Sequence, residues 1–153
     1  MFLYAVFHND VYHLAKGDRY LELRDVVNRS SPVKIQATAM ASEALVSMIE
    51  NKTDYLLVDR TGPHDAYGIV TRRDIVTGGV AKGRDLTKTS ILDLARKPLV
   101  VMNNLDLDIR WVAKKMANEG VSKIAVFDKE AFLGFISDVD IMKAVATGKE
   151  GRK

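Results

Sequence analysis

Apolar residues recur along this chain with two periods. At Ala41, Ala44, Leu45 and Met48, and again at Ile109, Val112, Ala113 and Met116, they fall at i, i+3, i+4 and i+7, the spacing of a helix that buries one stripe. Thr38 and Asp106 stand just ahead of these runs as expected N-caps, each with a side-chain oxygen for an orphan backbone N–H. Residues 55–59 with 67–71, and 123–128 with 132–137, are short continuous apolar runs separated by turns, and read as two hairpins. β-branched runs at 33–36 and 99–102 follow Pro32 and Pro98 and predict one more strand apiece. Two further helices are expected to start near Thr71 and Ser137. Ile75 and Val76 carry the first to Gly78-Gly79; Val139, Met142, Val145 and Ala146 carry the second to Gly148, and glycine tolerates the left-handed conformation that ends helices.

These elements come in two copies. Gly68, Thr71 and Asp74 recur 66 residues later as Gly134, Ser137 and Asp140, while the amphipathic helices align at an offset of 68. The difference falls inside a turn, where length changes cost little. Each copy reads strand, helix, strand, turn, strand, helix, which predicts an α/β (α+β) fold. Two copies of roughly 50 residues are each too small to be comfortable alone, so one pseudo-symmetric module is expected, the copies burying faces on each other. The expected organisation is an N-terminal extension over 1–21 with a short hairpin around Asn9-Asp10, a first copy over 22–79, a linker over 80–90, a second copy over 91–148 and a frayed tail over 149–153. Residues 23–27 and 91–95 read as matching helical turns ahead of the two prolines.

Composition removes several function classes. There is no cysteine, which excludes disulfides, thiolate nucleophiles and cysteine-bound metal sites. No stretch approaches the roughly 20 apolar residues of a spanning helix, and the apolar opening 1–7 lacks a basic leader, so a cytoplasmic, soluble chain is expected. A net charge of +3 permits an anionic ligand without demanding nucleic acid. Lys82, Arg84, Lys88, Arg96 and Lys97 cluster near the linker but are diluted by Asp85 and Asp93. Of the three histidines, His8 and His13 flank the expected N-terminal turn and His64 sits in a loop. With no phosphate loop, zinc-protease motif or nucleophile elbow, neither catalysis nor a metal site is expected.

The informative element is Gly-apolar-apolar-Thr/Ser-x-x-Asp at the last strand–helix junction of each copy. Helix N-termini attract phosphate, the hydroxyl of Thr71 or Ser137 can donate to it, and the carboxylate of Asp74 or Asp140 can accept from ribose hydroxyls. The same spacing is that of a capping box, in which both side chains serve only the helix's own amides. Spacing alone leaves the two readings level.

The paired motifs, the strands ending in Asp59 and Asp128, and residues 120–123 resemble a tandem cystathionine-β-synthase (CBS) domain pair, or Bateman module, over residues 22–147. That resemblance implies two β-α-β-β-α repeats packed through their sheets, with clefts that hold an adenosyl ligand such as AMP, ADP, ATP, NAD or S-adenosylmethionine. Thr71 and Asp74 would serve one cleft and Ser137 and Asp140 the other. Lys34, Ile35, Val100 and Val101 would border the base, and Lys123 would lie near the phosphates. Arg72 and Arg73 in the first motif, against Asp138 and Val139 in the second, favour a phosphorylated ligand at the first; the bland alternative is that all are solvated helix-face charges. The expected function is a non-catalytic regulator that rearranges on binding, acting as a homodimer on an unknown effector protein. The alternative is a dimerisation scaffold with idle clefts, for which Leu107 and Trp111, four apart, suggest a second apolar stripe; a nucleic-acid-binding protein is the less favoured third.

Overall fold

The structure, a computed structural model, describes residues 21–147. The expected N-terminal hairpin, His8, His13, the helix stop at Gly148 and the tail lie outside the described residues. In chain order the elements are α1 (Leu23–Val26), β1 (Lys34–Ile35), α2 (Ala41–Asn51), β2 (Tyr55–Val58), β3 (Gly68–Thr71) and α3 (Arg72–Gly78). After 3₁₀ turns at Val80–Lys82 and Ile91–Asp93 come β4 (Val101–Met102), α4 (Ile109–Glu119), β5 (Lys123–Asp128), β6 (Ala131–Ser137) and α5 (Asp138–Thr147). The fold is α/β, with two three-stranded mixed sheets ordered β1-β2-β3 and β4-β5-β6. In each, the first pair is parallel and the second antiparallel.

These elements form two compact bodies. One is Ser31–Leu99; the other joins residues 21–30 to 100–147. In the first, Leu56, Val58 and Val70 on one face of the sheet pack with Ala44 and Met48 of α2, Ile75 of α3 and Ile91. In the second, Ile124, Val126 and Ile136 pack with Ile109, Val112 and Met116 of α4, Ala144 of α5, and Leu21, Leu23 and Val26. The strand period of two sends alternate side chains to the other sheet face, where Leu57 and Ile69, and Ala125 and Phe135, pair across and are also buried.

The segment that leads each sequence copy completes the body of the other. Ile91 N–H donates to the Ala39 carbonyl, and Arg96 and Ile69 exchange both backbone bonds at 2.8 and 2.9 Å beside β3. In the second body Leu23 N–H donates to the Leu107 carbonyl, and Asn28 and Phe135 exchange bonds at 2.9 and 3.2 Å beside β6. These contacts relocate the expected helix starts. The carbonyls of Leu105 and Leu107 accept the N–H groups of Arg24 and Leu23, and Asp108 bridges to Glu22, so α4 begins only after Asp108, whose side chain accepts from Arg110 N–H at 2.9 Å. Asp106 pairs with Arg24 instead of capping. Met40 likewise bridges to Ser90 and precedes α2, with the Glu43 carboxylate accepting its N–H at 2.9 Å, so Thr38 is not the cap.

Candidate functional site

Each motif occupies the turn from the last strand of a body into its helix. The motif glycines let that strand lie against the docked leading segment. A Cβ on Gly134, whose φ is +156°, would stand 1.9 Å from the Asn28 carbonyl oxygen, and one on Gly68 would stand 3.0 Å from that of Arg96. The strand then ends at a hydroxyl residue in extended conformation, which caps the helix.

Both junctions form complete reciprocal boxes. Asp74 Oδ2 accepts the Thr71 N–H at 2.9 Å, and Thr71 Oγ1 accepts the Asp74 N–H at 3.1 Å. Asp140 Oδ2 accepts the Ser137 N–H at 2.8 Å, and Ser137 Oγ accepts the Asp140 N–H at 3.1 Å. The capping reading is therefore realised twice. It does not exhaust the groups. Each hydroxyl is used only as an acceptor, so its proton remains to donate, and Oδ1 of each carboxylate has no partner among the described residues. All four residues are half-buried, and the boxes fix their rotamers.

The surroundings of the two boxes differ. Thr71 faces Tyr55 across the hairpin, whereas Ser137 faces Lys123. The 68-residue offset already pairs Tyr55 with Lys123, which is the signal that would have drawn attention to Tyr55. Arg72 and Arg73 are exposed on the first turn of α3; Asp138 and Val139 are exposed on that of α5. Arg72 also borders a groove of about 500 Å³ over Leu45, Met48 and Ile49, with Lys52, Thr53 and Asp54 along its rim, which sequence reasoning missed.

The residues expected to border a base divide by register. Lys34 pairs with Leu57 and Val101 with Ala125, so these two share the sheet face turned from the helices. Ile35 packs toward the core. Val100 precedes β4, accepts the Ala125 N–H on its carbonyl and packs into the core, which makes it the counterpart of Val33 rather than of Lys34. The expected stripe of Leu107 and Trp111 does not form: Leu107 packs against the core, while Trp111 is 52% exposed with the Lys114 ammonium 4.7 Å from its ring centre.

Among the described residues no helix is long and apolar enough to cross a membrane, and no three His, Asp or Glu side chains converge as metal ligands. Residues 23–79 and 91–147 each match the CBS domain, together most of the chain. The chain is similar to the hexameric CBS-CP12 protein from bloom-forming cyanobacteria, at 31% identity and a TM-score of 0.74 over 83% of this chain and 73% of that one. Against the ytterbium derivative of that hexameric protein, identity is 31% and the TM-score 0.73, over 80% of this chain and 66% of that one, just under two thirds of its length. The CBS domain pair of protein MJ0100, in complex with 5′-methylthioadenosine and S-adenosyl-L-methionine, gives 21% identity and a TM-score of 0.63 over 80% of this chain and 98% of that one, a likeness of fold. No curated protein matches the chain.

Proposed function

Because this chain belongs to the CBS domain family and carries two copies of the domain, we propose that it is a non-catalytic regulatory module that binds an adenosyl ligand at its strand–helix junctions. The observation that carries this reading is the unused chemistry of the two boxes: one carboxylate oxygen and one hydroxyl proton at each, held in fixed rotamers. Oδ1 of Asp74 or Asp140 accepts a ribose hydroxyl, and the Thr71 or Ser137 hydroxyl donates to phosphate or to another polar group of the ligand. With Arg73 exposed on the turn beside Thr71, the first junction is the one suited to a phosphorylated ligand. Lys123 opposite Ser137 lends the second a cation that offsets Asp138. The MJ0100 pair, in complex with adenosyl compounds, supports the ligand class, and the hexameric CBS-CP12 relative supports self-association, proposed here as a homodimer.

The boxes also favour a second reading, a dimerisation scaffold in which these side chains serve only their helices. A thermal-shift series with AMP, ADP, ATP, NAD and S-adenosylmethionine separates the two. A ligand at 100 times its dissociation constant adds about 2.7 kcal/mol of stability. A clear rise in Tm with at least one of them is expected; no rise with any favours the scaffold.

A further inference from the structure

In the first body, the sheet face turned from the helices carries a cation that the capping boxes do not use. Register sets Lys34 opposite Leu57 and Leu57 opposite Ile69, and the two-residue period of β3 puts Thr71 on the same side as Ile69. Lys34 and Thr71 therefore stand at two ends of one face, about 12 Å apart by strand spacing and rise. Leu57 and Ile69, between them, are apolar and buried, so they offer a ligand neither donor nor acceptor. Lys34 itself is exposed, on an edge strand, with no ion pair or side-chain hydrogen bond among the described residues.

The second body places its charge differently. Val101 takes the position of Lys34, paired with Ala125, and Phe135 stands next across the sheet. The cation of that face is Lys123, directly opposite Ser137 at the junction end. One face thus holds its ammonium far from the hydroxyl and the other holds it beside the hydroxyl. A nucleotide held at the first junction by ribose on Asp74 and by phosphate on Thr71 and Arg73 has its base left to reach toward β1. An ammonium waiting there has three donors and no acceptor. Guanine presents O6 and N7 side by side, both acceptors, whereas adenine sets its N6 donor beside N7.

We infer that the first junction prefers a 6-oxopurine nucleotide, a guanosine or inosine phosphate, over its adenine counterpart, with the Lys34 ammonium donating to O6 and N7 of the base. This rests on the reading of the junctions as nucleotide sites and names the base that one of them selects. The second junction, with Val101 in that place, has no such donor and keeps no preference for a 6-oxo group. The two copies then answer to two purine classes, and the chain responds to their relative supply.

Isothermal titration of the full chain with GMP, IMP and AMP tests the assignment. GMP and IMP are expected to bind about ten-fold tighter than AMP, and Lys34→Met to bring the three within about two-fold of one another. Lys34 is exposed and belongs to neither core, so the substitution spares the fold. Equal affinities in the wild type, an adenine preference, tight GMP with IMP no better than AMP, or a 6-oxo preference that survives Lys34→Met each overturns the assignment and leaves the junction reading standing. Lys34 is then an edge-strand lysine that only discourages pairing with other strands. If none of the three binds, the assignment falls; the junction reading falls with it where no adenosyl ligand raises Tm, and stands where one does.

Discussion

Asp74 has two carboxylate oxygens with different employment. Oδ2 is committed to the Thr71 amide and Oδ1 has no partner among the described residues, so structural and binding roles can be pulled apart by chemistry. Asp74→Ala removes both and is expected to cost about 0.5–2 kcal/mol of stability, as cap losses do, along with any ligand affinity. Asp74→Asn keeps one carbonyl oxygen for the amide and replaces the other with a donor. It should leave stability nearly unchanged while weakening an adenosyl ligand roughly ten-fold to a hundred-fold. Calorimetry beside denaturant unfolding checks this, and equal affinity for Asn and Asp would return the residue to capping alone. Asp65 gives a second residue-scale prediction. The Lys97 ammonium at 2.8 Å, then the Thr61 amide and hydroxyl, hold its carboxyl well below the usual carboxylate range. A depressed folded pKa contributes stability above the ordinary value near pH 4, and that contribution is lost as pH falls through the lowered one. Asp65→Asn should therefore flatten the acid limb: below about pH 4 the wild-type Tm falls more steeply than that of the variant.

At the scale of elements, the hairpin strands were legible because their apolar runs and turns are local signals. The amphipathic helices were legible for the same reason: Ala41, Ala44 and Met48, and Ile109, Val112 and Met116, are the buried positions. Ala113 is exposed, although it sits in the same stripe. What the sequence concealed was set by distant backbone. The helix starts moved two residues past Thr38 and Asp106 because the preceding chain is hydrogen-bonded to segments far away in sequence. Leu107 left its apparent stripe for the same reason. The boxes were legible as a spacing; their two readings were not separable, because a spacing does not say how many lone pairs remain free. The motif glycines read as part of a ligand signature, yet their geometry answers to the docked segment. Gly134→Ala combines a left-handed-side φ with a 1.9 Å clash on backbone and should cost about 3 kcal/mol or more; Gly68→Ala, at 3.0 Å, should cost nearer 1 kcal/mol. Denaturant midpoints give the comparison, and a smaller effect at Gly134 than at Gly68 would contradict the close approach.

For the whole molecule, the crossing of leading segments means that a sequence repeat and a folding body are different things. A fragment of residues 22–79 contains a full copy by sequence but lacks Ile91, which is completely buried, and the Arg96 bridge beside β3. It also carries Leu23 and Val26, whose partners are Ile109, Val112 and Ile136 in the other body. Burying one such aliphatic side chain stabilises by about 1.5–3 kcal/mol, a large share of what a small body has to spare. A fragment of residues 31–99 keeps every member of the first core, from Val33 to Ala95. The shifted fragment should show a cooperative urea transition, and the copy-by-sequence fragment a broad one at markedly lower denaturant, although it begins and ends where the repeat does. Equal cooperativity in the two would mean that the leading segments are passengers, and that the hydrogen bonds tying Ile91 and Arg96 to Ala39 and Ile69 contribute little to the fold they complete.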